Sequence, residues 1–185
     1  MKHTETESLI HNLWGELEHA VCQPRHPFRW PVLATASSSG DAHLRIVVLR
    51  AVHSNHLTVY TDARTQKVAD LKQNPKASLL FFDPAKLLQL RIIGDTIIHS
   101  QDPESKRLWE NLKPRQKIEY QSVFPPGSIA EREITKTNVN IESKYFTVLK
   151  VYPKEMDLLQ LSPTGHSRHR LKRNGDAWSL YRVVP

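Results

Sequence analysis

The residues best suited to chemistry lie between Arg45 and Lys67. Arg45 and Arg50 bracket an apolar run, a second apolar run ends at Tyr60 and Thr61, and Arg64, Thr65 and Lys67 follow together. Guanidinium groups, an ammonium and hydroxyls at a helix start form a donor set for a phosphate, because charge-assisted bonds and helix-terminal amides both favour an oxyanion. In a regular strand Arg45, Val47 and Leu49 face one way, and Ile46, Val48 and Arg50 the other. The two arginines serve one ligand only if the strand bulges or the ligand spans its edge. A long planar ligand with a phosphate tail meets the second condition. Arg45 then serves the tail, Arg50 a different group, and the backbone between them the polar rim of a ring. Taken singly, each of these cations is better explained as a solvated strand end or helix surface residue.

Two further stretches carry polar side chains at regular spacing. Gln89 and Arg91 share one face of a long strand, with Leu88, Leu90 and Ile92 on the other, and the glutamine amide can both donate and accept to an imide-like edge. His166, Arg168, Arg170 and Lys172 form a cationic stripe for an anionic substrate, a cofactor or nucleic-acid phosphates; the plainer explanation is a charged edge strand that deters aggregation. The chain has ten histidines, yet no HExxH spacing and only Cys22 as a thiol, so no metal site is expected. No GxSxG, GxGxxG or GxxxxGK[ST] signature appears.

The elements that must position these groups follow from periodicity. An apolar stripe from Leu9 to Val21 predicts a helix over 8–22, closed by Pro24 and Pro27. Strands are predicted at Pro31–Ala36, Leu44–Ala51, Leu57–Tyr60, Ala77–Phe82 and Leu87–Ile98, the last bent at Gly94. Thr65 is the expected N-cap of a helix that ends before Asn74-Pro75. Residues 103–120 read as helical with a break at Pro114, and 121–140 as a loop with a short helix. Strands return at Tyr145–Tyr152, Met156–Leu161, Ser167–Leu171 and Trp178–Val183, with a turn at Tyr152-Pro153-Lys154. Short strands at regular spacing with few helices argue for a closed or nearly closed antiparallel barrel, mainly β with peripheral helices.

The 185 residues suit one domain, with barrel segments at about 30–100 and 144–185 and a helical or loop insertion at about 103–143. At 39% hydrophobic and 24% charged, the chain can bury a core without disulfides or metals, and a single cysteine fits a reducing, cytoplasmic setting. The charged N-terminus is unlike a secretory signal, and no apolar stretch is long enough to span a membrane. The balance of 26 basic to 19 acidic residues favours anionic ligands without choosing among them.

Together these stretches resemble the pyridoxamine 5′-phosphate oxidase family, flavoproteins of the FMN-binding split-barrel fold. The likeness lies in Arg45-Ile46-Val47-Val48-Leu49-Arg50, in Tyr60-Thr61-Asp62 with Thr65 and Lys67, and in Asn74-Pro75-Lys76-Ala77-Ser78-Leu79-Leu80-Phe81. It continues in Gln89-Leu90-Arg91-Ile92-Ile93-Gly94 and in the closing Asp176 to Pro185. The resemblance implies a homodimer with FMN at the subunit interface and a small-molecule substrate. By position, Arg45 and Lys67, assisted by Thr65 and with Arg64 nearby, would hold the FMN phosphate. The backbone of Ile46, Val47, Val48 and Leu49, with Tyr60 and Thr61, would line the ring; Gln89 would meet its polar edge and Arg168 would reach it from the other subunit. The family's reaction oxidises pyridoxamine or pyridoxine 5′-phosphate, with O₂ reoxidising the flavin. Departures fall on the substrate side. Arg50 stands for a lysine, Thr164 for an arginine two residues before the matching His166, Leu158 or Leu159 for a tryptophan, and Trp109 and Lys113 near a tyrosine and an arginine. Arg50 and His166 are therefore the substrate-side candidates. An FMN-dependent reductase or haem-binding relative of the same fold is the alternative. A basic nucleic-acid-binding module is the alternative of another class, with nucleic acid the disfavoured partner.

Overall fold

The computed structural model describes the backbone of residues 2–129 and 142–185. Helix α1 (Lys2–Cys22) and a 3-10 turn (Pro27–Arg29) lead into strands β1 (Val32–Ala36), β2 (Ala42–Ile46), β3 (Leu49–His53) and β4 (His56–Asp62). Helix α2 (Gln66–Gln73), strands β5 (Lys76–Asp83) and β6 (Leu88–Ser100), helices α3 (Pro103–Glu110) and α4 (Pro114–Lys117) and a second 3-10 turn (Ile118–Tyr120) follow. Strands β7 (Phe146–Gln160), β8 (Ser167–Asn174) and β9 (Ala177–Arg182) complete a sheet whose pairings are all antiparallel.

Along this sheet the order is β2-β1-β5-β6-β7-β4-β3, with β8 and β9 branching from β7. The strands at the two ends, β2 and β3, are consecutive in the chain and separated only by Val47 and Val48. A sheet whose ends are tied by so short a link must curl until they meet. β2 and β3 do not pair with each other, so the closure keeps a seam, as a split barrel does. Leu33, Leu49, Leu79, Leu90, Ile92 and Leu149 fill the interior, and α1 closes over it with Leu13, Leu17 and Ala20. Each such large side chain contributes about 1.5–3 kcal/mol by leaving water. No helix among the described residues is long and apolar enough to cross a membrane.

Several elements differ from the sequence expectation, each for a physical reason. Helix α1 starts at Lys2, because the apolar stripe marks only part of it and helix formers such as Glu5 and Glu7 carry it further toward the N-terminus. The expected strand Leu44–Ala51 is two strands, β2 paired to β1 and β3 to β4, a change of partner that an unbroken apolar run conceals. The β3–β4 register passes from Leu49↔Val59 to Ala51↔Thr58, so Arg50 is bulged and its side chain re-aimed. The expected turn at Tyr152-Pro153-Lys154 is a bulge inside β7: Ile93 pairs Glu155 while Gly94 pairs Pro153. Proline is tolerated at such an irregularity. Gly94 is required there, since a Cβ would lie 2.2 Å from Tyr152 O. Residues 121–129 carry no regular element, and the rest of the expected 121–140 loop and helix up to residue 140 lies outside the described residues.

Candidate functional site

Strand β4 ends beside the N-terminus of α2, and this junction brings together three of the expected phosphate groups, Arg45, Thr65 and Lys67, with Thr61, which was expected at the ring. Thr61 and Thr65 are nearly buried, their hydroxyls 3.3 Å apart. Lys67 Nζ donates to Thr61 Oγ1 at 3.1 Å. Arg45 reaches the same corner from β2. Burial lowers the Lys67 pKa and the neighbouring Arg45 charge lowers it further; burial lowers that of Arg45 too. Lys67 has no ion pair among the described residues, and the nearest carboxylate oxygen to Arg45 is Asp70 Oδ2, 3.8 Å from Nη2. Thr65 takes the N-cap position of α2 as expected, but its hydroxyl donates to Asp62 O at 2.7 Å instead of capping.

Behind Arg45 lies a network that sequence reasoning missed. Arg45 Nη1 donates to Thr35 Oγ1 at 2.7 Å and to Leu33 O at 3.4 Å. Thr35 Oγ1 donates to Asp70 Oδ2 at 2.7 Å, Gln66 Nε2 donates to Oδ1 at 2.9 Å, and His43 Nδ1 lies 2.9 Å from Oδ2. Asp70 is 2% exposed. Burial alone would raise its pKa, but the bonds from Thr35, Gln66 and His43 hold it down to about 2. The available signal was an acid set between Val68 and Leu71 on the buried face of α2.

The other candidates lie elsewhere. Arg64 turns away from the corner: it forks onto Asp62 at 3.0 and 2.7 Å, donates to Ser122 O and Val123 O, and stacks on Tyr145. Its guanidinium is committed to Asp62 and to the carbonyls of Ser122 and Val123, contacts that compete with the expected phosphate role. Val47 N–H bonds to Pro31 O at 2.9 Å, Leu49 is buried in the core, and Val48 completes the β2–β3 link, while the Ile46 side chain is exposed on the outer sheet face. Arg50 lies 5.8 Å from the centre of the Tyr60 ring, near Tyr120, with its buried Nε unpaired. Burial pushes the Tyr120 hydroxyl up to about 12, partly offset by the Arg50 charge. Trp109, Tyr120, Phe146 and Val148 pack into one aromatic cluster, with Tyr60 and Leu108 against it. Trp109 is thus a packed side chain, and Lys117 lies over its ring.

Gln89, Leu159 and Arg168 pair successively across β6, β7 and β8 and so share one outer face. Of the two leucines in question, Leu159 is therefore the one beside Gln89, whereas Leu158 packs in the core. Arg168 is held by Asp157, with Nε to Oδ1 and Nη2 to Oδ2 both at 2.9 Å, and Arg91 and Arg170 approach the same carboxylate at 2.9 and 3.6 Å. These contacts, the Arg168 bond foremost, lower the Asp157 pKa against the effect of burial. His166 sits in the exposed turn before β8, where Nδ1 accepts from Ser162 N–H at 3.1 Å and Ser162 also bonds Thr164. The cationic stripe is accordingly paired within the fold: Arg168 and Arg170 with Asp157, and Lys172 with Glu155.

Glu16, His19 and His26 bring three ligand-type atoms within 4.8 Å of one another. The donor chemistry does not suit a metal. Lys86 bonds Glu16, and His26 Nδ1 accepts from Phe28 N–H at 3.1 Å, which leaves the proton on Nε2, 3.3 Å from Glu16. The cluster is a clasp between α1 and the first 3-10 turn.

Comparison with known proteins agrees with this architecture. A pyridoxine/pyridoxamine 5′-phosphate oxidase of Acinetobacter baumannii (strain SDF) is 27% identical over 184 residues, covering 92% of this chain and 84% of that protein. Among solved structures, a pyridoxamine 5′-phosphate oxidase-related, FMN-binding protein from Nostoc punctiforme PCC 73102 superposes with a TM-score of 0.81 at 22% identity, covering 94% of this chain and 96% of that one. PhzG from Burkholderia lata 383, solved with tetrahydrophenazine-1-carboxylic acid, gives 0.74 at 19% identity, covering 96% and 91%. At those identities the two structures speak for the fold. The family pattern of pyridoxamine 5′-phosphate oxidase matches residues 26–158, and the chain belongs to that family.

Proposed function

We propose that this chain binds FMN and acts as an oxidoreductase on a small anionic molecule. The observation that carries the reading is the corner shared by Arg45 and Lys67. Two cations disfavoured by burial, one of them also by its neighbour's charge, are stabilised together by a phosphate dianion. Arg45, Thr61, Thr65 and Lys67 would hold the phosphate, the Ile46–Leu49 backbone and Tyr60 the ring system, and Gln89 its polar edge. The FMN-binding neighbour from Nostoc supports the same cofactor. Bound FMN would supply hydride acceptance, with O₂ the reoxidant expected from the family. The protein contributes position, charge and exclusion of water.

The face carrying Gln89, Leu159 and Arg168 also exposes Leu44, Ile46, Phe82 and Ile93, an apolar surround that favours cover by a second copy. A homodimer, with Arg168 reaching the partner's flavin, is part of the proposal. On the substrate side Arg50 has no ion pair among the described residues, and an anionic substrate would provide one. The burial of Trp109 and the turn-bound Thr164 support a substrate other than pyridoxamine 5′-phosphate, which stays in the test as a candidate. The contacts of Arg168 and Arg170 with Asp157 and of Lys172 with Glu155 favour a structural role for the stripe over nucleic-acid binding.

A visible spectrum tests the cofactor. The protein should be yellow after reconstitution, and acid should release a flavin with the mass of FMN; a colourless reconstituted sample would sink the reading. Anaerobic bleaching by pyridoxamine 5′-phosphate, or its failure beside bleaching by other small anions, then decides the substrate.

A further inference from the structure

We propose that Asp70, acting through Thr35, is the positioning residue that makes this site prefer the phosphorylated flavin; the inference rests on the FMN reading above. Asp70 is a buried carboxylate held in its ionised form, so it can only accept. Thr35 has one hydroxyl proton, and the 2.7 Å contact to Asp70 Oδ2 commits it there. The Thr35 lone pairs must then face Arg45 Nη1, which donates to them at 2.7 Å. A long, flexible arginine is fixed on one edge: Nη1 meets Thr35 Oγ1 and Leu33 O, and Nη2 lies 3.8 Å from Asp70 Oδ2. Gln66 on Oδ1 and His43 beside Oδ2 fix the carboxylate itself.

Helix α2 makes this a gauge as well as an anchor. Lys67 and Asp70 stand one turn apart on the same helix, so a single rigid element sets both the second phosphate cation and the anchor of the first. The relative placement of Arg45 and Lys67 is thereby set by one element. The Asp70 charge also repels a phosphate, which works against the proposal. That repulsion acts through the intervening Arg45 and Thr35, whereas the orienting bonds act in contact, so orientation prevails.

The test compares FMN with riboflavin, which lacks the phosphate, by quenching of flavin fluorescence on wild-type protein, Asp70→Asn, Thr35→Val and Thr35→Ser. Asp70→Asn and Thr35→Val should weaken FMN by about tenfold and leave riboflavin within about twofold. Thr35→Ser, which keeps the hydroxyl, should bind FMN like wild type. Equal weakening of both flavins would mean that Asp70 merely supports the fold, and unchanged or tighter FMN in Asp70→Asn would mean that its charge opposes the ligand; either overturns the proposal. A wild-type protein that does not prefer FMN to riboflavin overturns the FMN reading itself, and that shows before any variant is compared.

Discussion

At the proposed phosphate corner a charge-assisted bond would contribute about 1.5–3 kcal/mol, so losing Arg45 should weaken FMN by one to two orders of magnitude. Arg173 makes the control: it bonds Gly175 O at 3.0 Å and lies 3.7 Å from Asp176, remote from the corner. Arg45→Ala should release flavin on dilution while Arg173→Ala retains it; equal retention by both would contradict the assignment. Lys67 adds a pH signature. Its pKa lies below 10.5 because of burial first and Arg45 second, so the unliganded protein loses that proton at lower pH than a free lysine does. A folded-state pKa below the unfolded one means that the charge costs stability at neutral pH and the cost fades as pH rises through the folded value. FMN affinity runs the opposite way and should fall over the same alkaline window, and Lys67→Met should abolish that fall. The cations of this corner were legible in the sequence because they cluster between apolar runs. Asp70 and Asp157 were not, since a lone acid inside an apolar segment shows its partners only once the chain is folded.

At the scale of elements, hydrophobic periodicity located most strands and helices, and Gly94 was legible as a bend. It could not show where a strand changes partner, which is why Val47–Val48 looked continuous, nor that Pro153 lies in a bulge and not a turn. Gly94→Ala tests the bulge. The added Cβ meets a backbone oxygen that no side-chain rotation can move, so about 3 kcal/mol should be lost, read as a lower urea midpoint. Helix α3 is pinned to β7 by Lys150 Nζ on Glu104 Oε1 at 2.6 Å, with Arg107 on the same carboxylate. The Arg107 bond, then the Lys150 bond, hold the Glu104 pKa near 2. A depressed carboxylate stabilises the fold above its unfolded pKa, and that contribution is lost as pH falls toward 2. Glu104→Gln should therefore melt below wild type at pH 7, by the equivalent of about 1 kcal/mol for so accessible a pair, and the gap should narrow below the ordinary carboxylate pKa and close only as pH approaches 2.

For the whole molecule, the outer face of β2, β1, β5, β6, β7 and β8 is where the proposed second copy would sit. It exposes Leu44, Ile46, Phe82 and Ile93, and within it Arg91, Arg168 and Arg170 surround the single carboxylate of Asp157. In the proposed homodimer, apolar area would drive two copies together, but each would bring more arginine charge than Asp157 neutralises. An anionic ligand bound across the interface would relieve that repulsion, so FMN should tighten the dimer by mass action. Sedimentation should find a tighter self-association in the FMN-loaded protein than in the stripped one, with the difference shrinking as salt screens the arginines. Leu44→Glu and Phe82→Glu, which put carboxylates into the apolar part without touching the Arg45 corner, should yield monomers that hold flavin poorly, because Arg168 would then have no partner site to reach. If both variants stay dimeric and yellow, the second copy lies on another face, and the seam between β2 and β3 binds its cofactor within one chain.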